Sequence, residues 1–292
     1  MKYSAPLLAL SLLIPACALA APKGDSAALI RSIETAKKGA TVTVPAGEYD
    51  IADVKIPKDI NLVGQGEVVF YSSRKLEKGL LVPGWDASLR VENITFEDAV
   101  SYDDNGAGIR NDGLNLTVIN CRFINDQDGI LATGRDEGKI EIVHSEFIGS
   151  GAGDGYSHGI YVSSGHSLAI KDSRFVGTRY GHHVKSLADI TTITGSTFDD
   201  ADGHTSYAVD ASRGGAVTIT GNSFLKAADA DNNALFNYDL TRGGKAISLT
   251  ISGNKIVNRR RGAILLRNPT ALKPVIKNNR LANEGRGQFA VD

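Results

Sequence analysis

Short stretches of alternating apolar and polar residues recur along the chain, and each ends in a large apolar residue. The eight copies read VENITF, VINCRF, IVHSEF, IKDSRF, ITGSTF, ITGNSF, ISGNKI and IKNNRL. The first ends at Phe96 and the last at Leu281, so seven intervals cover 185 residues, an average of 26.4. Alternation is the pattern of a half-buried β-strand, so the sequence predicts one such strand in every repeat.

A second apolar phrase follows each of the first seven strands. Its central residues are Ile109, Ile130, Ile160, Val184, Val209, Phe236 and Ile264. No segment between the phrases carries a 3.6-residue period long enough for a helix. Short strands at a fixed period, without helices between them, stack into a solenoid.

The repeats also predict the core. Equivalent inward residues lie one above another, so the phenylalanines from Phe96 to Phe224 are expected to form an aromatic stack. Small polar residues precede them and are expected to form a ladder at the turn: Cys121, Ser145, Ser173, Ser196, Asn222, Asn254 and Asn279. Cys121 is therefore interpreted as a small buried turn residue.

The N-terminal part of the repeat region carries a capping signal. Residues 25–38 place Ala28, Ile30, Ile33 and Ala36 on one face, which predicts an amphipathic helix that covers the end of the solenoid. The phrases VTVPAGEY and INLVGQG follow. Here the chain resembles the pectate-lyase-like superfamily of right-handed β-helix proteins. The resemblance implies an all-β, single-stranded right-handed parallel β-helix of about 26 residues per rung with an N-terminal capping helix.

The first twenty residues have the pattern of a secretory signal peptide. Lys2 is followed by an apolar run from Leu7 to Leu13 and by the small residues around Ala18. Cleavage after Ala20 would leave residues 21–292 as one β-helix domain, periplasmic or secreted and without a membrane anchor. Lipidation at Cys17 is the disfavoured alternative, because Pro15 lies just before it.

The net charge limits the kinds of partner that the protein can bind, and the cysteine content limits its disulfide bonds. The formal net charge of the whole chain is −1, and the near-neutral balance argues against a nucleic-acid binder. After cleavage only Cys121 remains, so no intramolecular disulfide is expected. We expect a monomer whose partner is an acidic polysaccharide.

One face of the second strand is expected to carry the chemistry. Side chains on a strand alternate between faces, which predicts the outward series Arg110, Leu131, Tyr161, Lys185, Asp210, Asn237 and Leu265. His183 is two residues before Lys185 and is predicted to lie beside it. Five of the six histidines fall between His158 and His204, which indicates a functional cluster.

This cluster suits β-elimination on a uronic acid, which needs a base for the C5 proton, an acid for the leaving oxygen and a group that neutralises the carboxylate. Lys185 can be the base or can bind the carboxylate, and Tyr161 or His183 can supply the acid. The candidate catalytic residues are Lys185, His183, Tyr161, His158 and Asp210. The candidate substrate-binding residues are Arg110, Asp128, His182, Tyr180, Tyr207, Asn237 and Arg267.

No cofactor is expected. Many lyases that the chain resembles use Ca²⁺, which is the one alternative, but Asp128, Asp154 and Asp210 are dispersed over the rungs and form no compact acidic motif. The sequence therefore predicts no metal.

Other reactions remain open. A polygalacturonase-like hydrolase would need paired acids, and Gly129 stands where the second acid after Asp128 would be. A C5-epimerase could use the same residues, although its usual Asp-Pro-His-Asp signature is missing. A non-catalytic carbohydrate binder or adhesin would more often lack the histidine cluster.

Overall fold

The chain winds into a right-handed parallel β-solenoid of about nine turns with about 26 residues per turn. The computed structural model describes residues 22–200, 203–285 and 289. The predicted fold class is confirmed. The predicted signal peptide, with Cys17 and Ala20, lies outside the described residues.

Each turn contributes short strands separated by bends. In chain order the strands are β1 (Ala40–Asp50), β2 (Val54–Ile56), β3 (Ile60–Tyr71), β4 (Gly79–Pro83), β5 (Leu89–Glu92), β6 (Thr95–Glu97), β7 (Ala107–Asn111), β8 (Leu116–Ile119), β9 (Arg122–Ile124), β10 (Asp128–Ala132), β11 (Lys139–Val143), β12 (Glu146–Ile148), β13 (Ile160–Val162), β14 (Ser167–Lys171), β15 (Arg174–Val176), β16 (Val184–Ser186), β17 (Ile190–Thr194), β18 (Thr197–Asp199), β19 (Val209–Ala211), β20 (Gly214–Thr220), β21 (Ser223–Lys226), β22 (Ala234–Tyr238), β23 (Lys245–Ser252), β24 (Lys255–Asn258), β25 (Ile264–Arg267), β26 (Val275–Lys277) and β27 (Arg280–Asn283).

These strands form two parallel sheets. The nine-stranded sheet has the order β2-β4-β7-β10-β13-β16-β19-β22-β25, and we call it the cleft sheet. The other eighteen strands form a continuous sheet, since the long strands β1 and β3 run through both of its columns. A parallel solenoid buries one face of every strand, so the core lies between the sheets.

The predicted aromatic stack fills this core. Neighbouring rings from Phe96 to Phe224 are nearly parallel, with centroids 4.7–4.8 Å apart. This distance equals the spacing between parallel strands, so the stack follows directly from placing one ring per rung.

The predicted polar ladder is also present. The backbone N–H of Cys121 donates to Ser145 Oγ at 3.1 Å, and Ser145 N–H donates to Ser173 Oγ at the same distance. The series continues to Asn222, whose N–H donates to Asn254 Oδ1. Burial raises the pKa of the Cys121 thiol to about 12, which is typical of an unreactive structural cysteine.

A helix covers the N-terminal end of the solenoid, as predicted. It is α1 (Ser26–Thr35), shorter than the predicted range, and Asp25 caps it by accepting the Ala28 N–H at 2.8 Å. Leu29 and Ile33 are its buried residues. No helix among the described residues is long and apolar enough to cross a membrane.

The last rung differs from the prediction. Leu266, and not Ile264, pairs with Phe236, so Arg267 occupies the outward position beside Asn237. Leu265, predicted to face outward at that position, is buried. In the final repeat, two more residues precede the paired position than the predicted alignment assumed. The pairing of this strand with its neighbour is therefore shifted by two residues.

Candidate active site

One line of outward-facing residues runs along the cleft sheet. The strand register places Arg110 beside Leu131 and then, on successive strands, Tyr161, Lys185, Asp210 and Asn237, with Arg267 beside Asn237. In the other direction the line continues through Val82 to Lys55. We call these nine residues the outward column. The predicted order from Arg110 to Asn237 is confirmed.

Lys185 and Tyr161 form the centre of the column. The Lys185 Nζ lies 5.0 Å from the centroid of the Tyr161 ring, within the range of a cation–π contact. Burial lowers the pKa of Lys185, and the positive charge of Arg242 lowers it further, while the Asp210 carboxylate opposes both. Burial raises the pKa of Tyr161. The pair therefore combines an amine with an increased neutral fraction and a phenol that keeps its proton.

Asp210 accepts hydrogen bonds from two side chains in a buried polar network. Asn237 Nδ2 donates to Asp210 Oδ1 at 2.6 Å and to Asp239 Oδ2 at 3.1 Å, and Ser212 Oγ donates to Asp210 Oδ2 at 3.0 Å. Arg267 Nη1 donates to Asn237 Oδ1 and to Asp239 Oδ2, at 2.9 and 2.7 Å. Burial raises the pKa of Asp210, whereas the hydrogen bonds and the Lys185 charge oppose that rise. Since Asp210 and Asn237 are buried, the network fixes the position of the carboxyl group beside Lys185.

Two stacked histidines each lie three residues before the column residue of the same rung. The rings of His158 and His182 are 4.7 Å apart and nearly parallel, and Tyr207 continues the stack at 5.0 Å. His158 Nδ1 accepts the backbone N–H of His182, and His182 Nδ1 accepts that of Tyr207. Each neutral ring therefore carries its proton on Nε2, and His182 Nε2 lies 3.7 Å from Asp210 Oδ2. The edge contact of His158 with Tyr161, at 5.4 Å, supports the phenol ring.

Because these histidines are buried, the free energy of unfolding is expected to depend on pH. Burial, followed by the charges of Lys185 and His183, lowers the pKa of His182 to about 3, whereas an unfolded histidine titrates near pH 6.5. The unfolded state then binds one more proton in the window from about pH 6.5 down to about pH 3, so this contribution to stability is lost as the pH falls. We expect His182→Asn to reduce the slope of unfolding free energy against pH by about 1.4 kcal/mol per pH unit near pH 5. Denaturant unfolding across this range measures it, with the exposed His166→Asn as control. Equal slopes for wild type and His182→Asn would contradict a neutral buried ring.

The prediction that His183 faces outward beside Lys185 is wrong. Its ring is fully buried, with Nδ1 2.8 Å from Thr178 Oγ1 and Nε2 3.0 Å from Asp200 Oδ1. The chain bends just before the strand, so alternation does not hold there. At the equivalent Gly159, a side chain would also point at a core ring, that of Phe175. His183 thus belongs to the core and cannot contact a polymer.

The remaining predicted residues lie at the edge of the cleft or beneath it. Asp128 is buried and accepts the backbone N–H of His158 at 2.7 Å, and burial raises its pKa to about 8. Tyr180 is exposed and stacks on His204 at 5.2 Å. Of these two residues, only Tyr180 is positioned to contact a ligand.

Sequence reasoning missed two charged groups. Arg242 acts on both Lys185 and Tyr161 through its charge, and its guanidinium makes no ion pair with any described residue. Asp112 holds Arg110 Nε at 3.1 Å and Lys78 Nζ at 2.6 Å. Arg242 lies in a turn after β22 that no repeat phrase marks, whereas Asp112 follows Arg110 by two residues and could have been found by alternation.

The residues present do not fit a calcium site. Asp210 and Asp239, which share the Asn237 amide, receive hydrogen bonds from Asn237 and other donors. Within residues 22–200, 203–285 and 289, no group of three or more histidine, cysteine, aspartate or glutamate side chains could hold a metal ion. The expectation of a metal-free site stays a prediction.

The fold and this cleft define a right-handed parallel β-helix protein with a lysine–tyrosine pair on its exposed sheet. The family model "Right handed beta helix region" matches residues 129–292, and the chain belongs to that family. No curated protein matches the sequence significantly.

The solved structures that are similar to the chain include two alginate lyases. One is the crystal structure of an alginate lyase from Paenibacillus sp. str. FPU-7, with a TM-score of 0.70 and 14% identity, covering 91% of this chain and 97% of that one. The other is the PL6 family alginate lyase AlyGC, with a TM-score of 0.51 and 14% identity, covering 90% of this chain and 39% of that one. At this identity the likeness establishes the shared fold.

Proposed function

We propose that the protein is a polysaccharide lyase that cleaves a uronate polymer by β-elimination, with alginate as the first substrate to test. The observation that carries the proposal is the Lys185–Tyr161 pair, in which burial lowers the pKa of the amine and raises that of the phenol. The similarity to two alginate lyases supports the choice of polymer. Export to the periplasm or the medium would bring the enzyme to such a polymer.

The pair supplies both proton transfers. The neutral Lys185 amine removes the proton from C5 of the uronate, and the C–H electron pair becomes the C4–C5 double bond. The C4–O4 bond breaks, and O4 takes the phenolic proton of Tyr161. Transfer of a proton from the Lys185 ammonium to the Tyr161 phenolate, through water, restores the starting state.

Carboxylate neutralisation is assigned to Arg242. The C5 proton becomes acidic only if charge developing on the carboxylate is stabilised, and arginine binds a carboxylate in a bidentate manner. Arg110 and Arg267 are already paired with Asp112 and Asp239. Arg242 makes no ion pair with any described residue, and its positive charge helps to lower the pKa of Lys185.

Hydrolysis is disfavoured by the state of the carboxyl groups. An inverting or retaining hydrolase needs two carboxyl groups that flank the same glycosidic bond. Asp112 is engaged by Lys78 and Arg110, Asp128 is buried, and Asp210 is enclosed by donors. Asp112 and Asp210 bind other side chains, and Asp128 accepts the backbone N–H of His158.

Replacing Arg242 by alanine is expected to change both rate and pH dependence. Loss of carboxylate binding should lower kcat/KM by about one hundredfold, the range found for one preorganised charge-stabilising donor. Loss of a positive charge near Lys185 should also raise the pKa of the amine, so the ascending limb of activity against pH moves to higher pH. Arg259→Ala removes an arginine paired with Glu284 on the other sheet and is the control. A lower rate with an unmoved pH profile would show that Arg242 does not act on Lys185.

The proposal is tested on a panel of alginate, polygalacturonate and a neutral glucan. Ultraviolet absorbance of unsaturated uronate and the release of reducing ends are followed together. A lyase produces both on an acidic polymer and neither on the glucan. Reducing ends without absorbance would replace the proposal with a hydrolase.

A further inference from the structure

We propose that Trp85 forms a distal sugar-binding platform at the N-terminal end of the outward column, where it holds uronate residues of the polymer about four units from the bond that is cleaved. The inference rests on the proposed function, because the ligand is the same acidic polymer. It assigns a binding role to a tryptophan outside the Lys185–Tyr161 centre.

The platform is an open, largely apolar hollow. A cavity of about 390 Å³ is bounded by Lys55 and Pro57 on β2 and its following turn, by Val82 and Pro83 on β4, and by Trp85, Asp112 and neighbouring backbone. The Trp85 side chain is 63% exposed, and the Arg135 guanidinium lies 5.6 Å from its ring. One face of the indole is thus supported by Arg135.

So much exposed indole is unusual for a protein side chain. Tryptophan is highly buried on average, and a ring with an apolar face and a polar edge suits a ligand that is apolar on one side and hydroxylated on the other. A pyranose ring has this character, since its C–H groups project from one face. Pro57, Val82 and Pro83 extend the apolar floor beside the indole.

The hollow is continuous with the proposed cleavage site. Lys55 and Val82 are paired on adjacent strands, and the same column passes through Arg110 and Leu131 to Tyr161 and Lys185. Val82 is four strands from Lys185, a distance of about 19 Å at the spacing of parallel strands. One residue of an extended 1,4-linked uronan advances by roughly one strand spacing, so about four sugar units reach from Lys185 to the hollow.

The charges along this path favour an anionic chain. Lys55, Lys78 and Arg110 border the hollow and its approach, and Asp112 is the carboxylate among them. Its ion pairs help to hold the pKa of Asp112 below its usual range, so Asp112 is ionised. Its single negative charge still leaves the three cations in excess. Asp86 and Glu137, near the far side of the indole, are bound to Arg135.

The chain contains one tryptophan, so intrinsic indole fluorescence reports on this hollow alone. The Lys185→Ala protein, which is expected to bind without cleaving, is titrated with alginate and with oligouronates of increasing length. We expect a saturable change in emission with the polymer and with oligomers of about five units or longer, and no change with dimers or trimers, which can occupy the cleavage site without reaching Trp85. Emission unaltered by polymer that binds in sedimentation would overturn the inference.

A variant series gives an independent test. Trp85→Ala should raise KM for polymeric substrate by roughly threefold to tenfold, the range expected for loss of one aromatic contact, with kcat unchanged. KM for a trimer should stay the same. Tyr102→Ala is the matched control, because Tyr102 is 79% exposed and contacts Lys75 but lies outside the column. An unchanged polymer KM in Trp85→Ala would contradict the platform.

The experiments distinguish failure of the lyase proposal from failure of the Trp85 platform. If emission responds to polymer but the wild-type protein releases no unsaturated ends, the platform stands and the lyase assignment fails. If the polymer is cleaved to unsaturated ends while both emission and the KM of Trp85→Ala are unaffected, the lyase stands and the platform is wrong.

Discussion

Replacing Lys185 by alanine is expected to lower kcat for β-elimination between about one hundredfold and ten-thousandfold, the usual contribution of a positioned general base. The half-buried amine lies over Tyr161 and beside Asp210 on the outward column. No other lysine belongs to the column near Tyr161. The rate of unsaturated-uronate formation at saturating substrate measures the loss.

Lys185→Arg separates proton abstraction from charge neutralisation. Arginine keeps the positive charge but does not release its proton in the working pH range, so a general base is lost while a carboxylate ligand is retained. We expect Lys185→Arg to be as inactive as Lys185→Ala. Activity near the wild-type level in Lys185→Arg would assign Lys185 to carboxylate binding. Lys171→Ala, an exposed lysine of the other sheet, controls for surface charge.

Truncating the middle of the aromatic stack is expected to cost about 3–5 kcal/mol of unfolding free energy, as for other buried phenylalanines changed to alanine. The Phe147 ring lies between Phe123 and Phe175, with centroids 4.7 Å away on both sides. Phe147→Ala would leave a cavity that its neighbours cannot close, because the backbone hydrogen bonds fix their spacing. Denaturant unfolding at neutral pH measures the change.

The control for this prediction is an exposed aromatic residue of the same region. Tyr156 is 81% exposed, so Tyr156→Ala should change stability by less than about 0.5 kcal/mol. A loss below about 1 kcal/mol for Phe147→Ala would mean that the stack relaxes around the vacancy and that the rungs are less tightly coupled than a solenoid requires.

The periodic parts of the molecule could be predicted from the sequence. A residue such as Phe147 or Ser145 recurs at one position in successive repeats, and parallel stacking turns that recurrence into contact between neighbours. The same logic placed Lys185 between Tyr161 and Asp210. To predict which residues of neighbouring repeats are in contact, one needs only the repeat length and the knowledge of which alternate side chains face inward.

The errors arise where the chain departs from the period. His183 precedes Val184 at a bend, where alternation no longer decides the direction of the side chain, and its ring turns into the core. The last rung is displaced by two residues, which moved Arg267 into the position predicted for Leu265. Arg242 lies in a turn, and turn geometry is not encoded in a strand repeat.

The central claim is that the Lys185–Tyr161 pair cleaves by elimination, without adding water. The most direct measurement is mass analysis of the products formed from alginate in water enriched in heavy oxygen, for wild type and Tyr161→Phe. Elimination predicts unsaturated non-reducing ends with no heavy oxygen introduced at the cleaved bond, and a large loss of these products in Tyr161→Phe. Saturated products that carry the heavy oxygen at the cleaved bond, or unsaturated products formed as fast by Tyr161→Phe, would contradict the account.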